Sequence, residues 1–182
     1  MICAYKHILS GKQVAFLAPT TILSMQHYNT AQSRMKPFMV NVALLNRFTP
    51  TAEVKRIKQG LKDKTIDMVI GTHKLLGKDV EFKDLGLLIL DEEQRFGVND
   101  KEKLKQLTSL NVLTLSATPI PRTLHMSLSG IRDISIIATP PVGRLPITTI
   151  VTEENDMMLK DAITRELSRD GQVLIINDKV EN

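Results

Sequence analysis

Six short runs of continuous apolar residues recur along the chain, separated by stretches with helical spacing. They are QVAFLAP (Gln13 to Pro19), VNVALLN (Val40 to Asn46), IDMVIGT (Ile66 to Thr72), LGLLILDE (Leu85 to Glu92), NVLTLSAT (Asn111 to Thr118) and ISIIATP (Ile134 to Pro140). A strand with one wet face alternates apolar and polar residues, whereas unbroken apolarity marks a strand covered on both faces. The pattern therefore predicts an α/β fold in which helices sandwich a parallel sheet.

The segments between the runs carry helix signals. From Thr49 to Lys62, Thr49 is placed to cap, Pro50 suits the first helical position, and Val54, Ile57 and Leu61 share a face. Asn99 and Glu102 form a capping-box-like start to a short helix through Leu107. The opening ICAYKHILSG reads as the last turns of a helix stopped by Gly11, with no start before it, so an upstream segment is expected. TPPVGRLPITT (Thr139 to Thr149) concentrates prolines and a glycine as a linker does. Beyond it, Leu159, Ile163 and Leu167 mark a helix, Gly171 a stop and GQVLIIN a strand. The expected organisation is a first domain over 1–140, a linker over 141–152 and the start of a second domain over 153–182.

Composition narrows the function classes. At 182 residues, with 42% apolar and 24% charged residues, the chain has the make-up of an ordinary globular protein, which argues against disorder and collagen-like repeats. A net charge of +4 leans mildly toward polyanionic partners. Cys3 is the only cysteine, and His7, His27, His73 and His125 are scattered, so neither a disulfide nor zinc spacing is offered. No run approaches the roughly 20 apolar residues that span a bilayer, and the N-terminus lacks a leader pattern. The expectation is a cytoplasmic protein.

Chemistry collects where the runs end, and in open parallel sheets the ligand crevice lies at the carboxyl ends of the strands. Asp91 and Glu92 close the fourth run in a way that suits Mg²⁺ held through water and an oriented water molecule; the same pattern also describes a helix start or a solvated acidic loop. Ser116 and Thr118 end the fifth run, placed either to bond the neighbouring carboxylates or to cap a helix. LAPTT and GTHKLL put Thr20, Thr21, Thr72 and Lys74 at strand-to-helix turns, which suit phosphates and equally serve as plain helix caps. Arg47 beside Phe48 adds a cation next to an aromatic. Aromatics make up only 4% of the chain, so grip on a duplex through its phosphates fits better than base stacking. SGKQ around Gly11 and Lys12 lacks the earlier glycine and the following Ser or Thr of a phosphate loop, and Lys12 reads as a solvated residue past a helix end.

Taken together, these residues resemble the superfamily 2 helicases and translocases. DEEQ is similar to the Walker B motif, SATPIPRT to motif III, and LAPTT and GTHKLL to the nucleic-acid motifs of the first motor domain. DEEQRFGV and the string from SATPIPRT to GRLPI resemble the bacterial transcription-repair coupling factor family. The RecG helicase family shares much of this, but RDISIIATPP and INDKVEN favour the former. The resemblance implies a RecA-like motor that uses ATP and Mg²⁺, translocates on double-stranded DNA and pushes on stalled RNA polymerase in concert with nucleotide-excision repair proteins. It further implies that Asp91 coordinates Mg²⁺ and Glu92 activates water. Gln94, Ser116 and Thr118 would couple the ATP site to DNA, while Thr20, Thr21, Arg47, Thr72, His73 and Lys74 would line the DNA side.

Two departures shape the expectation for this chain. It contains no phosphate-loop sequence, and the second domain's arginine-bearing motifs are not among its 182 residues, so the chain by itself is expected not to hydrolyse ATP. The phosphate-loop strand of the family sits beside the motif III strand. Its absence predicts an unpaired edge near Asn111 to Thr118, filled by QVLIIN or by a second copy of the chain as a strand-exchanged homodimer. A branched-DNA helicase of the RecG kind and a non-catalytic DNA-binding module are the alternatives; paired acids at a strand end argue against the latter.

Overall fold

A computed structural model describes residues 1–96, 111–117, 133–139, 143, 147–153 and 155–176. It divides into two compact units, Met1–Ile134 and Ser135–Asn182. The first contains α1 (Ile2–Leu9), β1 (Gln13–Leu17), α2 (Thr21–Met35), β2 (Val42–Leu45), α3 (Thr51–Asp63), β3 (Met68–Gly71), β4 (Leu85–Asp91) and β5 (Asn111–Leu115). Single 3-10 turns follow α2, β3 and β4, at Lys36–Phe38, His73–Leu76 and Glu93–Arg95. The second unit contributes α4 (Asp156–Leu167). No helix among the described residues is long and apolar enough to cross a membrane.

The five strands form one sheet in the order β2-β3-β1-β4-β5, with every pairing parallel. Continuous apolarity is explained by alternation of side chains between two covered faces. Val14, Phe16, Met68, Ile70, Leu87 and Ile89 point to one face, where Ala4 of α1 and Ala31 and Met35 of α2 cover them. Ala15, Leu17, Val69, Leu88 and Leu90 point to the other, against Ile57 and Leu61 of α3. Each fully buried Leu, Ile or Phe contributes about 1.5–3 kcal/mol, so the two layers on β1 are the main source of stability.

Local chemistry sets the helix ends. Thr20 caps α2 by accepting the Leu23 N–H at 3.2 Å. Gly11 takes a left-handed φ of 73° after α1, as a helix stop requires. The start of α3 differs from expectation: Pro50 is the N-cap, and the Thr49 hydroxyl accepts from Asn46 N at 2.9 Å and donates to Leu44 O at 3.2 Å. That hydroxyl is committed to the strand end and cannot cap. At the end of α4 the left-handed residue is Asp170 (φ 56°), one before Gly171, whose N–H reaches Glu166 O at 2.8 Å. Lys12 is not merely solvated, because its Nζ donates to Asp84 at 2.7 Å. The Lys12 ammonium, and after it Lys64, hold the Asp84 carboxyl below the usual carboxylate range.

Two expected strands are absent. Residues 134–138 and 171–176 carry no strand, and Ile136, Ile137, Leu174 and Ile176 are more than four-fifths exposed. Apolarity makes a strand only where a neighbouring backbone completes the ladder, and neither run carries one among the described residues. Among the described residues of the first unit, β5 ends the sheet, with Val112 and Leu115 more than a third exposed. The helix expected from Asn99 to Leu107 lies outside the described residues.

Gln13 closes the amino-terminal side of the sheet. It is 1% exposed, and its Nε2 donates to Leu61 O at 3.0 Å and Ile66 O at 2.9 Å while its Oε1 accepts from Asp84 N at 3.0 Å. One side chain thus satisfies the end of α3, the approach to β3 and the approach to β4. Gln13→Leu takes this partner from the Ile66 carbonyl and the Asp84 N–H, while the Leu61 carbonyl keeps the Lys83 N–H at 3.2 Å, and is expected to cost about 2–4 kcal/mol. The urea midpoint should fall by the corresponding amount with an unchanged slope; a loss below about 1 kcal/mol would mean that these groups find other partners.

Candidate functional site

The parallel order brings the carboxyl end of every strand to one rim. The chain runs from β1 through α2 towards β3 and β2, but from β4 to β5 in the opposite sense, so the crevice between β1 and β4 is the switch point at which such sheets bind ligands. The same order sorts the candidate residues. Thr20, Thr21, Arg47, Thr72, His73 and Lys74 follow β1, β2 and β3, while Asp91, Glu92, Gln94 and Ser116 follow β4 and β5.

On the β4 side, side-chain alternation decides where Asp91 points. Leu87 and Ile89 face the α2 layer, and Asp91, two residues on, does the same. There its Oδ2 meets Nε2 of His27 at 2.8 Å, with the two side chains 16% and 27% exposed. Oδ1 has no hydrogen-bond partner among the described residues. The next residue leaves the strand abruptly: Glu92 has a φ of 49°, a left-handed conformation unfavourable for a side-chain-bearing residue. Its N–H still reaches Leu115 O at 2.9 Å, which fixes the turn to β5. Its carboxylate accepts from Gln94 Nε2 through one oxygen and from Ala117 N at 3.2 Å through the other. Glu92 therefore joins the acidic turn to the loop holding Ser116, an exposed residue. Thr118 lies outside the described residues.

On the other side, the turns after β2 and β3 are tied together. Lys74 Nζ donates to Asn46 O at 3.1 Å, and Asn46, 1% exposed, gives its Nδ2 to Ser24 Oγ of α2 at 3.3 Å. A Cβ on Gly71 would collide with the Leu45 carbonyl oxygen, which explains the glycine at this close approach of β3 to β2. Thr72 is 3% exposed, and its hydroxyl has no hydrogen-bond partner among the described residues. His73 and Lys74 are exposed, as is Arg47, whose guanidinium lies 4.7 Å from the Phe48 ring centroid. Thr20 spends its hydroxyl on the α2 cap.

The carboxylate of Asp91 is a donor of the kind that Mg²⁺ takes. Among the described residues no three His, Cys, Asp or Glu side chains converge on one point, whereas Mg²⁺ is commonly held by one or two carboxylates with water and substrate phosphates completing the shell. The half-buried Asp91, with Oδ2 held by His27, fits that habit.

Gln13, Asn46 and His27 escaped the sequence reading. A single polar residue opening an otherwise apolar strand is a signal that points to Gln13. His27 lies one residue before Tyr28 on the inward stripe Ser24, Tyr28, Ala31 and Met35, and only the fold shows that it meets a residue 64 positions away.

Comparisons with known proteins place this geometry. A transcription-repair-coupling factor of Staphylococcus haemolyticus is 58% identical over 180 residues, and one of Staphylococcus aureus USA300 is 57% identical over the same length. Each alignment covers 98% of this chain and 15% of the relative, so the chain spans about 15% of the length of these curated relatives. A solved structure described as RecG bound to a three-way DNA junction superposes with a TM-score of 0.68 at 39% identity, covering 88% of this chain and 22% of that one. A family profile described as DEAD/DEAH box helicase matches residues 1–127, and the chain belongs to that family.

Proposed function

We propose that this chain is the nucleotide- and DNA-facing part of a double-stranded DNA translocase. In the longer protein, ATP hydrolysis would drive the displacement of stalled RNA polymerase and the recruitment of nucleotide-excision repair proteins. The observation that carries the reading is the division of one sheet rim into an acidic end at β4 and β5 and a hydroxyl- and cation-bearing end at β1, β2 and β3. Similarity to the staphylococcal transcription-repair-coupling factors supports it.

In this reading Asp91 offers Oδ1 to a hydrated Mg²⁺. When bound there with ATP, the cation would supply positive charge to offset that on the transferring phosphoryl group. Glu92 orients the attacking water and accepts its proton through lone pairs that its bonds to Gln94 and the Ala117 N–H leave free. Those two bonds give Gln94 and the loop holding Ser116 and Thr118 a mechanical link to nucleotide state. Arg47, His73, Lys74 and the backbone around Thr20, Thr21 and Thr72 contact DNA phosphates. The buried Thr72 hydroxyl acts through its turn rather than by reaching a ligand directly.

The structural likeness to a RecG chain supports a second reading, a helicase acting on branched DNA. Both share the same rim, and a three-way junction bound more tightly than a plain duplex of equal length would favour the second.

The chain carries no phosphate-loop sequence, so its own turnover of ATP is expected to stay at the uncatalysed background, with or without DNA. Magnesium-dependent, DNA-stimulated phosphate release that disappears in Glu92→Gln would contradict this. Fluorescence anisotropy of a short duplex across a salt series tests the DNA face. Binding should weaken steeply with salt, and Arg47→Ala should lower affinity on all sequences alike and reduce the salt slope by about one. Equal slopes for wild type and Arg47→Ala would remove Arg47 from the interface.

The open β5 edge is also the site at which a second copy would pair. Light scattering should show a concentration-dependent dimer, which Val112→Lys abolishes by placing charge along that edge. A strictly monomeric wild type excludes the strand-exchanged form.

A further inference from the structure

His27 carries a contact through which the helix leaving the DNA end of the rim reaches the acidic end, and the reading above gives it no role. It lies on α2, two turns after Thr20 and Thr21, and crosses β1 to meet Asp91 at the end of β4. We propose that His27 is a positioning residue that fixes the Asp91 carboxylate, holding Oδ2 so that Oδ1 alone is presented to the cation. This rests on the reading of Asp91 as the magnesium carboxylate.

Three features support the assignment. A carboxylate can only accept, so the imidazole nitrogen 2.8 Å from Oδ2 carries the proton, which makes His27 a donor through Nε2. The ring is itself held: it packs against Phe16 with centroids 4.5 Å apart and planes at 39°, and Phe16 is 3% exposed within the buried layer of β1. The helix beneath the ring is also fixed, because Ser24, Ala31 and Met35 are buried, and Ser24 Oγ donates to Thr21 O at 2.8 Å. A donor anchored on both sides restricts the carboxylate to one orientation. Histidine held by a carboxylate is the familiar arrangement around metals; here the roles are exchanged, and the histidine orients a ligating carboxylate. A solvated His–Asp pair of merely structural value would contribute little and leave cation affinity unchanged.

The test uses the 182-residue chain and Mn²⁺ as the probe, read by paramagnetic broadening of amide and imidazole resonances. Wild type is expected to show His27 as the Nε2–H tautomer, with a ring signal that shifts in Asp91→Ala, and Mn²⁺ should broaden Asp91 and its neighbours first. His27→Leu should weaken that Mn²⁺ response about tenfold or more, and His27→Gln, which keeps an N–H donor at similar reach, should recover most of it. Unchanged amide signals from β1 and β3 in both variants establish that the fold is intact. If His27→Leu titrates like wild type, or if His27→Gln is as weak as His27→Leu, the positioning role is overturned while Asp91 remains the cation site. If Mn²⁺ leaves Asp91 unbroadened in wild type although the His27–Asp91 contact is seen, the metal reading fails and the positioning role falls with it.

Discussion

The parallel ladder around β1 is the constraint from which the rest of the structure follows. A parallel strand has to be re-entered from the same end as its neighbour, so each connection crosses a face of the sheet and every strand finishes on one rim. Once β1 lies between β3 and β4 with all five of its residues buried, side-chain parity decides which helix layer each neighbouring residue meets. Asp91 is an outcome of that parity. Had β4 slipped by one residue against β1, Asp91 would have turned towards α3 and away from His27.

Such a sheet has a recurring problem at its ends, where backbone groups leave the ladder before the helices take them over. Here a few buried polar side chains solve it. Gln13 serves the amino-terminal side with three hydrogen bonds. On the carboxyl side Asn46 accepts from Phe48 N through Oδ1, gives Nδ2 to Ser24 and receives Lys74 on its carbonyl. These groups are costly to leave unpaired in a low-dielectric setting, so each fixes its neighbours to a single arrangement. The rim loops are thus built on a rigid base, which the proposed phosphate and cation contacts require.

How much of this was legible in the sequence depended on whether the signal was local. The runs of β1, β3 and β4 were legible because two covered faces demand continuous apolarity, and the edge strands β2 and β5 carry the same signal with less burial. Residues 134–137 and 172–176 carry the same signal and, among the described residues, form no strand. The start of α3 was misplaced because Thr49 had two uses for its hydroxyl, and the strand end took it. In the site, Asp91, Glu92 and Gln94 stood out as polar groups at the end of an apolar run. His27 did not, since nothing in its neighbourhood distinguishes it from any half-exposed helix residue.

The left-handed turn at Glu92 connects these points to function. A strand that continued straight would carry Glu92 to the α3 layer, away from Asp91's face, by the same alternation that orients Asp91. Instead the backbone breaks at a φ of 49°, and the carboxylate meets Gln94 and the Ala117 N–H. A non-glycine residue held there costs on the order of 1 kcal/mol or more and persists only when its surroundings determine it. The determining contacts are the Leu115 carbonyl on the Glu92 N–H and the Ala117 N–H on its side chain, both from β5 and the loop after it. Any shift of that loop therefore acts directly on the position of Glu92. His27 holds the neighbouring Asp91 from the opposite side, through α2. The two acids are thus governed by different elements, one answering to β5 and the other to the helix that starts at Thr21, so movement of either element changes their spacing. That is the geometry required of a site whose occupancy has to be felt at both ends of the rim.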